Sequence, residues 1–282
     1  MPLPSLPADI ATVVSRAIAE DLGSGDLSAA LLGADDRAIA RVIVREPATL
    51  CGRAWFDETF RQLDARVAIS WLAEDGALVA TNDVVCEVRG AARSIVTGER
   101  TALNFLQTLS GTATAARTFV ELVAGTGARI LDTRKTLPGL RLAQKYAVRC
   151  GGGENHRIGL FDAVLIKENH LAAVGSVTEA VRVARRQSPQ VMIEIEVETL
   201  AQLREALATD ADRIMLDNFS LDAMREAVAL RNAHPGKRRE LEASGSVDAT
   251  TLRAVAETGV DFVSIGAITK HVRAIDFSMR FV

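Results

Sequence analysis

An α/β protein in two parts, the larger one built on a parallel sheet, is predicted by three features of the 282-residue sequence. Short apolar runs recur every 20–35 residues from Ala128 onward, with helical stretches between them, which is the period of βα units. The first hundred or so residues lack that rhythm. One apolar run is interleaved with carboxylates at period two.

The repeating runs are Ala128–Asp132, Ala163–Ile166, Val191–Val197, Arg213–Leu216, Arg239–Ala243 and Val260–Ile265. Helical spacing of apolar residues falls in Leu140–Val148, Val177–Arg186, Leu200–Ala208, Leu221–Asn232 and Asp248–Thr258. Alternation of this kind implies a parallel sheet, open or closed into a barrel. In Met192–Val197 and the residue after it, Glu194, Glu196 and Glu198 point to one face and Ile193, Ile195 and Val197 to the other. Glu240, Glu242 and Ser244 repeat the pattern. Two readings are open: an amphipathic edge strand facing water, or a barrel strand with inward acids that need partners or a metal.

Earlier in the chain, Ala8–Leu22 reads as a helix and Ala38–Val44, Val67–Trp71 and Val84–Val88 as strands. Turns fall at Glu74-Asp75-Gly76 and Thr81-Asn82-Asp83. Gly98–Val123 reads as a long helix, broken or kinked near Gly111. The expected division is an α+β domain over 1–111 and a βα domain over 112–269.

Composition excludes several classes. Lys and Arg number 33 against 36 Asp and Glu, a net charge of −3, which argues against general polyanion binding. Cys51, Cys86 and Cys150 are far apart, with no C-x-x-C spacing, and read as reduced thiols rather than a disulfide framework or a zinc site. A signal peptide is not expected, no run approaches the roughly 18 apolar residues of a membrane span, and a cytoplasmic location is expected.

The cationic residues are nevertheless concentrated. Arg134, Lys135, His156, Arg157 and Lys167 fall within one stretch, each beside glycines or at the end of an apolar run. Residues at the C-terminal ends of barrel strands line the active-site mouth. Arg offers a planar fork for carboxylate and Lys a point charge for phosphate. Gly151-Gly152-Gly153 before His156 and Arg157 suggests close approach of backbone to a ligand; a helix C-cap explains one glycine of the three. Glu196 and Asp217, near strand ends, suit a Mg²⁺ held partly through water and substrate phosphates. Ser244-Gly245-Ser246 and Ser264-Ile265-Gly266 follow the last two strands, where barrels bind phosphate through backbone N–H groups. Gly23-Ser24-Gly25-Asp26 follows a helix and reads as a turn and N-cap, not a phosphate loop.

Taken in order, these segments resemble the quinolinate phosphoribosyltransferase family over nearly the whole chain. The resemblance rests on Glu20–Asp26, Gly98–Asn104, Asp132–Thr136, Gly151–Arg157, Ile166–His170, Glu194–Val197, Met215–Asn218 and Glu242–Gly245. It implies the type II phosphoribosyltransferase fold: an N-terminal α/β sandwich, joined by the C-terminal tail 270–282, and an open α/β barrel. It implies transfer of phosphoribose from phosphoribosyl pyrophosphate to quinolinate with Mg²⁺, giving nicotinate mononucleotide, pyrophosphate and CO₂ for NAD synthesis. On this resemblance Arg134, His156, Arg157 and Lys167 hold quinolinate. Arg100 reaches a neighbouring subunit's site, which implies a homodimer or homohexamer. Lys135, Glu196 and Asp217 serve phosphoribosyl pyrophosphate, the two acids also the metal, and Ser244, Gly245 and Gly266 cradle the 5-phosphate. Lys270 stands where the family often has His, with His271 next; Lys there can meet phosphate as a point charge. Ser28 stands where Thr is frequent. Neither nucleic acid nor membrane is an expected partner. The competing readings are a related pyrophosphorylase linked to molybdenum transport, a plain nicotinate phosphoribosyltransferase, and a non-catalytic anion-sensing barrel. The last would have no reason to retain Glu196 and Asp217.

Overall fold

A computed structural model describes residues 3–282. Two compact units are present: one comprises the chain up to Arg117 with Thr136–Gly152 and Ile268–Val282, the other Thr118–Lys135 with Gly153–Ala267. The division thus falls six residues beyond Gly111, and 136–152, expected in the barrel, groups with the first unit.

In the first unit, α1 (Ile10–Leu22) precedes β1 (Arg37–Val44), β2 (Ala48–Thr49), α2 (Arg53–Leu63), β3 (Ala68–Trp71), β4 (Leu78–Val79), β5 (Val84–Ala91) and the start of α3 (Ala92–Leu122). Asp26 accepts the amides of Ser28 and Ala29 at 2.8 and 2.9 Å, so the Gly23–Asp26 segment is the turn that its composition predicts, while the N-cap position of the short helical turn that follows falls on Ser28. Buried residues at alternate positions of β1 (Ala40, Val42, Val44) and β5 (Cys86, Val88) pack with Phe56, Phe60, Leu103 and Leu106 into one core. The sheet order is β12-β1-β5-β3, where β12 (Phe277–Phe281) runs antiparallel to β1 from Val44↔Phe277 to Ala40↔Phe281.

α3 is continuous through Gly111, against the expected kink. A Cβ there would lie 2.1 Å from the carbonyl oxygen of Arg273, so the glycine permits backbone to lie against the helix rather than bending it. The same holds for Gly151, where a Cβ would meet the Ala113 carbonyl at 2.3 Å. Gly152, at φ +90°, ends α4 (Arg141–Cys150). Two of the three glycines therefore serve packing and capping.

The second unit is a six-stranded parallel sheet: β6 (Arg129–Leu131), β7 (Ala163–Ile166), β8 (Met192–Val197), β9 (Arg213–Asp217), β10 (Glu240–Ser244) and β11 (Phe262–Ser264). Its order, β6-β11-β10-β9-β8-β7, is the cyclic order of a barrel opened between β6 and β7. The connecting helices are α5 (Glu168–Val174), α6 (Val177–Gln187), α7 (Leu200–Leu207), α8 (Leu221–Ala233) and α9 (Leu252–Ala256), and α10 (Ala267–Lys270) follows β11. Side-chain oxygens of Ser176, Thr199 and Ser220 accept amides in the first turns of α6, α7 and α8. α9 is shorter than predicted because the Asp248 carboxylate accepts the amides of Thr250 and Thr251, holding that stretch as a turn. β8 pairs with β7 and β9 and is buried on both faces, which removes the edge-strand reading. Among the described residues, no helix is long and apolar enough to cross a membrane.

Candidate active site

Strand ends and the loops after them bring the predicted residues of the second unit together. Asp132, directly after β6, is fully buried and accepts Asn155 Nδ2 at 2.6 Å and the His156 amide at 2.9 Å. Glu154 bridges to β6 through Glu154 N to Ile130 O (2.8 Å) and Asp132 N to Glu154 O (3.1 Å), so the segment that follows the glycines occupies the open edge of the barrel.

The His156 ring is buried. Its Nδ1 accepts the Arg157 amide at 2.7 Å, and its Nε2 lies 2.8 Å from Glu194 Oε2 and 3.6 Å from Glu242 Oε2. Arg213 Nη1 lies 3.3 Å from Glu242, and its guanidinium stacks on Phe262 at 3.9 Å. Burial pushes the Glu194 carboxyl up, and burial with the neighbouring Glu194 charge pushes Glu242 up to about 8. Two carboxyls this close in a dry interior cannot both ionise cheaply.

Arg157 is half-buried. Burial, then the nearby Arg134 guanidinium, lower its proton affinity, and Nη1 donates to Ala163 O at 3.2 Å. The Glu194 and Asp162 carboxylates oppose that shift, and a cationic pair of this kind suits an anionic ligand. Lys167 Nζ donates to Glu196 Oε2 at 2.7 Å, and the Lys167 amide donates to His170 Nδ1 at the start of α5. Burial raises the Glu196 carboxyl, Lys167 opposes this, and the charge of Asp217 adds to the rise. A hard cation fits such a carboxylate pair, since it relieves their repulsion and takes oxygen ligands.

Each phosphate-loop candidate lies beside another residue near the strand ends. A Cβ at Gly266 would stand 3.0 Å from Lys135 Cδ, so the loop after β11 runs beneath the Lys135 side chain. Gly245, at φ +130°, lies against the Asn218 amide, which donates to Asp217 at 2.9 Å. Ser244 is half-buried at the end of β10. Arg100 and Lys270 are exposed and belong to the other unit. The sequence did not assign roles to Asp132, Glu194, Arg213 or Glu242. The inward alternation of acids was the available signal for Glu194 and Glu242.

A groove of about 370 Å³ in the first unit is lined by apolar residues including Val13, Phe105 and Leu109 together with the charged Arg16, Glu20 and Asp21. It gathers none of the predicted binding residues, so the chemistry is assigned to the strand ends.

Residues 26–110 match the N-terminal domain, and residues 112–280 the C-terminal domain, of quinolinate phosphoribosyl transferase. A relative from Synechocystis sp., named probable nicotinate-nucleotide pyrophosphorylase (carboxylating), is 43% identical over 94% of this chain and 90% of its own length. One of the same name from Bacillus subtilis is 41% identical over 92% and 89%. The solved nicotinate-nucleotide pyrophosphorylase of Francisella tularensis superimposes with a TM-score of 0.95 at 46% identity, covering 99% of this chain and 98% of that one. Matched in both of its domains and along nearly its full length, this chain belongs to the quinolinate phosphoribosyl transferase family.

Proposed function

We propose that the chain transfers the phosphoribosyl group of phosphoribosyl pyrophosphate to quinolinate and releases CO₂, the carboxylating nicotinate-nucleotide pyrophosphorylase reaction of NAD biosynthesis. The observation that carries this reading is the pairing of Arg134 with Arg157, beside Lys167, on the same strand ends as Glu196 and Asp217. A dicarboxylate needs several fixed cations; a monocarboxylate needs fewer, which favours quinolinate over nicotinate.

In this reading Arg134, His156, Arg157 and Lys167 bind and orient the two carboxylates. Lys135, with Gly266 beneath it, and Ser244 and Gly245 take the phosphates of the second substrate. Lys270 adds a phosphate contact, and Glu196 and Asp217 hold the ribose hydroxyls. The pyridine nitrogen forms its bond to ribose C1 as the bond to pyrophosphate breaks, through an oxocarbenium-like transition state. Lys135 faces the charge growing on the leaving group. The positive ring nitrogen of the nucleotide then stabilises the electron pair left on ring carbon 2 as the 2-carboxylate leaves as CO₂, and a proton from water takes the vacated position. Glu196 and Asp217 would also hold Mg²⁺, which would supply further positive charge to the pyrophosphate. No enzyme nucleophile takes part, so positioning accounts for much of the acceleration. Arg100 completes the site of a neighbouring subunit in a homodimer or a hexamer, in the cytoplasm.

The test is an assay of purified protein with quinolinate, phosphoribosyl pyrophosphate and Mg²⁺, following nicotinate mononucleotide and CO₂, with nicotinate in parallel. Turnover of quinolinate alone is expected, and Arg157→Ala should lower its kcat/KM roughly hundredfold, the loss of one or two charge-assisted hydrogen bonds. Absence of product from quinolinate would overturn the reading in favour of the molybdenum-linked pyrophosphorylase.

A further inference from the structure

Arg157 sits on a segment that the sheet does not hold. Beyond the bridge at Glu154 the chain lies at the opening between β6 and β7, where no strand pairs with it. Its placement therefore depends on side chains. Asp132 fixes the Asn155 side chain and the His156 amide. The next amide, that of Arg157, ends on the His156 ring itself, at Nδ1.

An imidazole whose Nδ1 accepts a hydrogen bond carries its proton on Nε2. Nε2 is the atom that faces Glu194 and Glu242. Rotating the ring by half a turn would set a carbon against the carboxylates and forfeit the Arg157 contact. Glu194 lies on a strand paired on both sides, and Glu242 is backed by Arg213, whose guanidinium rests on Phe262. Neither acid suits direct contact with a substrate, because both are fully buried.

We propose that Glu194 and Glu242 are positioning residues for substrate binding: through the His156 ring they fix the Arg157 main chain and so aim its guanidinium. This rests on the functional reading above. The same three side chains bring ligand atoms within 4.8 Å of one another, as a metal site also would. The Arg213 guanidinium 3.3 Å from Glu242 and the occupied Nδ1 favour a direct histidine–carboxylate contact. The class of effect is misplacement: a shift of about 1 Å in a binding group can cost on the order of a hundredfold.

The experiment compares Glu194→Leu, which keeps bulk without an acceptor, with Glu194→Gln, which restores one. Glu194→Leu should raise the KM for quinolinate roughly tenfold or more while the KM for phosphoribosyl pyrophosphate stays put, and Glu194→Gln should recover most of the loss. In ¹⁵N-histidine spectra of the full-length protein, the His156 signal (identified by its loss in His156→Gln) should report a protonated Nε2 and a bare Nδ1. In Glu194→Leu that signature should be lost. Unchanged quinolinate KM in a folded Glu194→Leu protein, an equal rise in both KM values, or recovery of activity on adding zinc would each overturn the proposal. If the wild type does not turn over quinolinate, the functional reading fails, and the His156 signal still decides the positioning role.

Discussion

Each unit buries a knot of polar side chains, and the two knots are built on opposite plans. In the first unit Asp75 accepts the amides of Gly52 and Arg53 at 3.1 and 3.3 Å through one oxygen and the Tyr146 hydroxyl at 2.9 Å through the other, beside the thiols of Cys51 and Cys150. In the second unit Glu194 and Glu242 face a histidine ring and an arginine side chain. Burial raises the carboxyls in both. The difference lies in the donors. Asp75 secures backbone at the start of α2, where Gly52 sits at φ +119° and exposed helix amides need an acceptor. Glu194 and Glu242 secure side chains that in turn point toward a candidate site. A buried acid is thus better classified by what it holds than by how deeply it lies.

The largest test of that distinction is Asp75→Ala. It removes the acceptor of two helix-start amides and a tyrosine hydroxyl at once, and should cost about 3 kcal/mol of stability, read as a lower urea midpoint. The quinolinate KM of the folded fraction should be unchanged. A rise of more than threefold would mean that the first knot also serves the substrate, and the comparison would break.

A smaller and pH-dependent effect belongs to the second knot. Glu242 has an ordinary value near 4.5 and is raised to about 8 in the fold. The folded state therefore holds a proton that the unfolded chain releases between these values. The cost is absent below about 4.5, grows through that window and is complete above about 8, at up to ~1.4 kcal/mol per pH unit. Glu242→Gln cannot lose that proton, so its urea midpoint should fall less than that of the wild type between pH 5 and pH 8. Parallel curves for the two proteins would show that Glu242 titrates normally.

Periodicity made the sheet of the second unit legible, because its buried parallel strands are short apolar runs or, in β8 and β10, apolar residues alternating with acids, and α6, α7 and α8 begin at a Ser or Thr cap. It missed α2, whose signal is split among Trp55, Phe56 and Phe60 facing a core that only the folded chain assembles. It missed α5, seven residues with none buried and so no apolar stripe. Gly111 read as a kink because sequence cannot show that the chain near Arg273 comes back against it. The cations were legible from their place at run ends. The partners of His156 were not, since nothing in the spacing of Glu194, Glu242 and His156 announces that one ring will meet both acids.

The finest test returns to the first knot. Tyr146 packs its ring on Trp55 at 5.4 Å between centroids, and its hydroxyl is one of three donors to Asp75. Tyr146→Phe keeps the ring and removes only that donor. Asp75 retains the two amides on its other oxygen, so the carboxylate loses one hydrogen bond rather than all of its support. The expected cost is about 1 kcal/mol, a third of that for Asp75→Ala, with the quinolinate KM again unmoved. If Tyr146→Phe cost as much as Asp75→Ala, the hydroxyl and not the helix amides would be what Asp75 is there to hold. The first knot would then be a side-chain network like the second, and the contrast between the two units would disappear.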